Sequence, residues 1–342
     1  MTMTATPEIA ARPLLRDRPD AEFRTLLADA WDQMSGGDAP KALLLLERAR
    51  AVSEQPPFSD VDRARVVFQL GCCRFNLGRV PNAVQLFTAA LDLCDRSGEP
   101  ADRLRVDALR WRTRCYRRQR EWDAARADAD AALELAEDLG DAGVLADAYL
   151  QASAVAERTG QLLVARFYLE HAVDLFRNAG RLLDAGKALN NLGGVLFLLD
   201  CTEEAKERLS EAFAVALELG DDVDAGYAVS STAQVLVRSG NPVEGERAAR
   251  HALSLLAGRA DHVNEIGNAQ LVLGRSLLEQ GRLDEAGESL AAADTSVRQM
   301  DSVGHRAAVW LAQGDLATRR GDVGSAATVY RRAAEALQDV RF

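Results

Sequence analysis

Apolar positions recur along this chain in paired stretches. In the first stretch of a pair an apolar residue (Leu70, Trp111, Ala152, Leu192, Leu273) precedes a restricted site, occupied in turn by Ala30, Gly71, Arg112, Ser153, Gly193, Ala233, Gly274 and Gly314. In the second stretch a large residue (Leu46, Phe87, Leu169, Leu209, Leu290, Tyr330) lies between two small ones. These offsets draw an apolar stripe of 3.6-residue period on both stretches, which predicts two amphipathic helices per unit. The turn between them holds Gly37, Gly78, Gly160, Gly240, Gly281 or Gly321, with Gln119 and Asp200 as substitutes. Glycine there can take the left-handed conformation that ends a helix. Pro40, Pro81 and Pro242 fall in the turn or the first turn of the second helix, where a missing N–H costs little.

The pattern repeats at a nearly constant interval. Ala42, Ala83, Ala124, Ala165, Ala205, Gly245, Ala286 and Ala326 are 40 or 41 residues apart, and a second series follows seven residues later: Ala49, Ala90, Ala131, Ala172, Ala212, Ala252, Ala293 and Ala333. Small residues at fixed offsets are what stacked helix pairs require, because each unit approaches the next closely and in the same way. A mid-helix glycine costs about 1 kcal/mol relative to alanine, so glycines in one register imply a backbone crossing. The expectation is an all-α solenoid of eight antiparallel helix pairs over residues 20–342, with units near 20–53, 62–97, 102–139, 143–179, 184–219, 224–258, 264–300 and 304–340. Residues 1–19, with three prolines and no continuous apolar run, read as a flexible tail.

These residues together resemble the tetratricopeptide repeat: a small residue after an apolar one in the first helix, a glycine-containing turn, then two alanines seven apart with a bulky residue between them. The resemblance covers about residues 20–340. The period exceeds the usual ~34 residues, and Ala188-Leu189-Asn190-Asn191-Leu192-Gly193 with Leu217-Glu218-Leu219-Gly220-Asp221 is similar to the long-repeat branch found in polarity adaptors, kinesin light chains and bacterial signalling regulators. Membership implies a right-handed superhelix whose first helices line a concave groove holding an extended peptide or a partner helix. On that geometry the groove residues include Arg65, Gln69, Asn76, Arg110, Arg117, Gln151, Arg158, Lys187, Asn190, Asn191, Gln234 and Arg238. Side-chain amides suit an extended strand, since one group can donate and accept to the same peptide unit. Asn76, Arg117, Arg158, Arg238 and Arg319 share one register and form a basic row facing an acidic partner, interrupted by Leu198 and Glu279.

Charge sharpens one region. The chain carries a formal net charge of −11, which disfavours general attraction to nucleic acid or anionic membrane. The first helix of the third unit runs the other way: Arg103, Arg105, Arg110, Arg112, Arg114, Arg117, Arg118 and Arg120 stand against Asp107. Arg112 at the small site, Gln119 at the turn and Asp128 at the bulky site make this unit depart from the code three times, and such departures concentrate at functional or strained places. Three readings stay open. The arginines pair with Asp123, Asp128 and Asp130 on a solvated face, they bind carboxylates or phosphates bidentately, or, interleaved with Trp111, Tyr116 and Trp122, they bind nucleic acid.

Catalysis finds little support. The five cysteines form no CxxC pair, the four histidines show no HExxH or HxH spacing, and no phosphate-cradling glycine loop occurs, Gly193-Gly194 being ascribed to helix contact. The expectation is therefore not an enzyme, with no cofactor and no metal. It is a cytoplasmic interaction scaffold or adaptor without a membrane segment, with nucleic acid disfavoured. One alternative is a sensor or regulatory subunit of a bacterial signalling or transcription system whose output lies on another chain. A second is self-assembly into a homo-oligomer through the C-terminal repeat, whose end at Phe342 shows no polar capping helix.

Overall fold

A computed structural model describes residues 21–259, 262–298 and 303–338. The segment 1–19 and the end at Phe342, on which the tail and C-terminal capping expectations fall, lie outside the described residues. All sixteen elements among the described residues are α-helices, and the chain divides between Val164 and Ala165 into two compact units.

The first unit contains α1 (Ala21–Ser35), α2 (Ala39–Ser53), α3 (Asp60–Asn76), α4 (Val80–Arg96), α5 (Asp102–Gln119), α6 (Trp122–Leu139) and α7 (Ala142–Arg158). The second contains α8 (Leu162–Asn178), whose first residues carry the division, α9 (Leu182–Leu198), α10 (Thr202–Glu218), α11 (Asp222–Arg238), α12 (Pro242–Leu255), α13 (Val263–Glu279), α14 (Leu283–Arg298), α15 (Val303–Arg319) and α16 (Val323–Gln338). Each predicted helix pair coincides with an observed one to within a turn.

Local chemistry sets the ends. Ser59 and Asp62 form a reciprocal capping box at the start of α3, and Asp141 accepts from the Gly143 and Val144 N–H groups at 2.9 and 3.1 Å to open α7. The first helices of the pairs close on a left-handed residue, glycine at Gly78 (φ 73°) and non-glycine at Arg120 (φ 62°) and Asp200 (φ 60°).

Packing within each unit follows the small-residue code. The second-series alanines Ala49, Ala90, Ala172, Ala252, Ala293 and Ala333 are fully buried. A Cβ on Gly71 would lie 2.6 Å from the Phe87 ring, one on Gly193 2.6 Å from Leu209, and one on Gly274 2.6 Å from Leu290. A Cβ on Gly314 would meet Tyr330 in the same way. Side chains this close fix the helix pair at a separation that only a missing Cβ allows. Consecutive helices pack on one another through α1–α7 and again through α9–α16, and odd helices additionally touch the next odd helix: α1 with α3, α3 with α5, α5 with α7, then α9 with α11, α11 with α13, α13 with α15. Comparable even-to-even packing is absent within α1–α7 and within α9–α16. Each unit thus has a close odd layer and a spread even layer, and the odd layer is its inner side.

The third helix pair corrects the sequence register. Ala125 and Ala132 are buried there, while Ala124 and Ala131 are only partly covered. The small site at the crossing is Thr113, fully buried, rather than Arg112, and the left-handed residue is Arg120 rather than Gln119. α5 begins at Asp102, 42 residues after α3 begins at Asp60, so the whole pair is displaced by one from its start. The apparent violation at Arg112 is thereby accounted for, since Thr113 one residue downstream holds the small site, whereas the turn and bulky sites still depart from the code, with a left-handed Arg120 in place of glycine and Ala129 in place of a large residue.

Candidate functional site

In the first unit the odd layer brings together most of the predicted residues of α3, α5 and α7, and the register decides what each does. Arg65 donates to Asp62 at 3.0 Å within α3. Arg110 is shared between Asp107 of its own helix at 2.9 Å and Asp147 of α7 at 3.1 Å. Burial raises the Asp107 pKa, and Arg110 and Arg103 oppose that rise. Arg103 reaches Asp141 at 2.6 Å, and Arg105 reaches Asp102 at 2.8 Å and Asp95 at 3.0 Å. Arg112 donates both Nε and Nη2 to Asp128 at 2.7 Å, and this bidentate hydrogen bonding raises its pKa further. Of the three acids expected to answer the arginine run, Asp128 alone does so; Asp95, Asp102, Asp107, Asp141 and Asp147 do the rest.

Four arginines within α5 and α7 are left outside these pairs. Among the described residues no carboxylate pairs with Arg114, Arg117, Arg118 or Arg158. Arg114 lies 4.1 Å from the Trp111 ring centroid and 5.1 Å from that of Phe75, and Arg118 lies 5.2 Å from Phe75. Phe75 and Trp111 meet edge to face at 5.5 Å. Arg117 donates to Gln151 at 3.3 Å, and its Nε is buried without a partner. Burial lowers the Arg117 pKa to about 10, the neighbouring Arg114 and Arg158 lower it too, and Glu157 acts against them. Burial likewise lowers Arg114. In the corrected register Arg117 stands where other pairs carry Phe75, Phe197 and Val237, and Glu157 of the adjacent α7 and Thr318 of α15 hold the same position. Arg118, not Arg117, joins Asn76, Arg158 and Arg238 in the exposed row. Gln69 is buried, and its Oε1 has no partner.

The odd layer of the second unit holds the remaining predicted residues. Lys187 pairs with Asp224 at 3.4 Å, and burial raises the Asp224 pKa against the pull of Lys187. Asn190 is 6% exposed, and its Oδ1 has no hydrogen-bond partner. Asn191 and Gln234 are half-buried, and Arg238 is exposed with its guanidinium 4.7 Å from the Phe197 ring. Lys187, Asn190, Asp224 and Tyr227 border one small cavity among α9, α10 and α11. His171 and His251 pack on Phe167 and Phe213 at 4.0 and 5.8 Å, in line with a packing role.

One regularity joins the two units. The buried side-chain atoms without a hydrogen-bond partner among the described residues are Gln69 Oε1, Arg103 Nε, Arg110 Nε, Arg117 Nε, Asn190 Oδ1, Asp224 Oδ2 and Arg306 Nε, of which Asp224 Oδ2 keeps the ion pair with Lys187, and every one belongs to an odd helix. The sequence pointed to Gln69, Arg110, Arg117 and Asn190. It missed Asp224, Arg306 and the Phe75–Trp111 platform.

No sequence among the curated proteins matches this chain. Residues 231–301 match the tetratricopeptide repeat family model. Among solved structures, a Rap protein complexed with competence and sporulation factor is similar over 96% of this chain and 90% of its own, at 14% identity and a TM-score of 0.71. The Rap conjugation gene regulator of the plasmid pLS20, in complex with a Phr peptide, is similar over 94% of this chain and 96% of its own, at 14% identity and a TM-score of 0.64. A STAND signal-transduction ATPase with a tetratricopeptide repeat sensor, from Pyrococcus horikoshii, is similar over 81% of this chain and 42% of its own, at 14% identity and a TM-score of 0.62. The chain has the fold of the tetratricopeptide-repeat proteins, and its residues 231–301 carry that family's sequence signature.

Proposed function

We propose that this protein is an interaction module that binds an extended peptide or a partner helix along its odd helices, and that the first unit favours an acidic segment. The reading rests on the placement of the unsatisfied buried polar atoms, all of them on the odd layer. A buried donor or acceptor without a partner costs about 1–3 kcal/mol, and native proteins keep few of them. Concentrating them on one layer makes sense where a guest supplies the missing partners. Asn190 and Gln69 offer carbonyl oxygens to main-chain N–H groups, while Arg114 and Arg117 offer donors to carboxylates. Similarity to a Rap protein solved with competence and sporulation factor and to a Rap regulator solved with a peptide supports the regulatory form of this reading, in which the bound segment changes how the chain engages a second protein.

Panning the immobilised chain with a random peptide library tests the proposal. Retained peptides should be enriched in Asp and Glu, and hydrogen exchange in their presence should slow on odd helices. Asn190→Ala and Gln69→Ala should each weaken binding about tenfold, the value of one hydrogen bond of roughly 1.4 kcal/mol. Protection confined to even helices, or no retention above that of the unfolded chain, would refute it.

A further inference from the structure

In the first unit, four cations of α5 and α7 without an acid partner gather near one another. Arg114, Arg117 and Arg118 follow at offsets of three and four residues near the end of α5, so they share one side of that helix. Arg158 holds on α7 the register position that Arg118 holds on α5. Contact with the Trp111 and Phe75 rings holds the Arg114 and Arg118 guanidinium groups in place without consuming their N–H donors. Arg118 and Arg158 are exposed, while Arg114 and Arg117 lie deeper with only part of their surface open, so a guest meets the first two directly and the other two in part.

The neighbouring arginines show what a carboxylate accomplishes here. One bidentate carboxylate, Asp128, closes Arg112. A single Asp or Glu on a partner would therefore satisfy one guanidinium and leave the others as they are. A phosphate monoester carries about −1.5 to −2 charges and three strong acceptor oxygens, and so can bridge several fixed forks at once. We propose that Arg114, Arg117, Arg118 and Arg158 form a binding site for a phosphoryl group carried on a partner protein segment laid along α3, α5 and α7. The proposal rests on the odd-layer reading and adds the chemistry of the guest. Gln69 and Asn76 on α3 and Gln151 on α7 flank the cluster with the amide groups a peptide main chain needs, which is why the phosphoryl group is assigned to a peptide rather than to a free ion.

Three fluorescent peptide pools with the same randomised neutral flanks and a central phosphoserine, Glu or Ser separate the possibilities in an anisotropy titration. The phosphoserine pool should bind at least about tenfold tighter than the Glu pool, the equivalent of roughly 1.4 kcal/mol. Arg114→Gln with Arg117→Gln should abolish that preference, and Arg114→Lys should keep only part of it, since the charge stays and the stacked fork is lost. Arg298→Gln, in the second unit, should change nothing. Circular dichroism checks the fold of each variant, and Arg118→Gln with Arg158→Gln, both at exposed positions, serves if the first pair does not fold. Equal binding of the phosphoserine and Glu pools overturns the phosphoryl assignment and leaves the acidic-segment reading standing. Displacement of the peptide by equimolar inorganic phosphate overturns the assignment to a peptide. Binding of the Ser pool alone, with protection on odd helices, overturns this proposal and preserves the module; absence of binding by every pool overturns both.

Discussion

At the scale of single residues, two adjacent glycines separate structure from opportunity. A Cβ on Gly193 would lie 2.6 Å from Leu209 Cγ and 3.1 Å from the Ala205 carbonyl, whereas one on Gly194 would meet nothing within 4 Å. The doublet as a whole reads as helix contact in the sequence, but only Gly193 makes it. Gly193→Ala is expected to destabilise the chain by about 1–3 kcal/mol through overpacking. Gly194→Ala should leave stability unchanged or raise it by up to about 1 kcal/mol, the helix propensity difference. Urea denaturation of both variants measures the contrast, and equal effects would refute the contact assignment. Asp141 offers a second test. Burial alone would raise its pKa, but the Val144 and Gly143 N–H groups and Arg103 outweigh that and hold it below the ordinary 3.8. A carboxyl depressed in the folded state stabilises the fold above its unfolded pKa, and that contribution is lost as pH falls through the depressed value. Amide exchange at Gly143 and Val144 should therefore quicken, relative to the rest of α7, as pH falls below 3.8. Asp141→Asn, which keeps a capping oxygen without the charge, should remove that pH dependence.

At the scale of elements, the pair α5–α6 replaces an apolar contact by an ion pair. In the corrected register Arg112 stands where α3 has Leu70, and Asp128 where α4 has Leu86. The two side chains retain 17% and 9% exposure, and Thr88 of α4 accepts a further hydrogen bond from Arg112 at 2.8 Å. Removing one partner of such a pair strands the other, at a cost of about 3–5 kcal/mol for a buried pair; the residual exposure places Asp128→Ala toward the lower end. Arg112→Leu combined with Asp128→Leu should recover most of the loss, because two apolar residues of similar volume do not leave a charge behind. A chemical-denaturation double-mutant cycle reports both outcomes, and a double variant no more stable than Asp128→Ala would refute the pairing. The same helix pair shows where the sequence misleads. A constant period and alanines seven apart made Ala124 and Ala131 look regular, since Ala125 and Ala132 directly follow them and satisfy the same spacing. Only burial distinguishes the two registers. Composition could not, because an alanine-rich helix offers the code at neighbouring positions, the displacement is already present where α5 begins at Asp102, and the left-handed Arg120 that closes α5 is announced by no glycine.

At the scale of the whole molecule, the repeat was legible because every helix pair faces the same physical demand, a close crossing at fixed offsets, and eight repetitions average out local noise. The binding chemistry was legible only in part, because it resides in departures from the repeat, each occurring once. Nearest-neighbour packing nevertheless gives the array a property that can be measured. In α9–α16 each helix packs on its sequential neighbours, and α9, α11, α13 and α15 form a continuous odd layer among themselves. A segment built from such local interfaces has little need of distant contacts. The fragment spanning residues 181–338 is therefore expected to be helical by circular dichroism and to unfold cooperatively in urea, with a smaller m-value than the full chain because it exposes less surface on unfolding. It retains Lys187, Asn190 and Asp224 but none of the four unpaired arginines of α5 and α7. Its binding should accordingly lose any preference for phosphoserine over Glu while keeping affinity for an uncharged main chain. A fragment that is a random coil would show that the second unit depends on residues before it, and a folded fragment that still prefers phosphoserine would move the anion site out of α5 and α7.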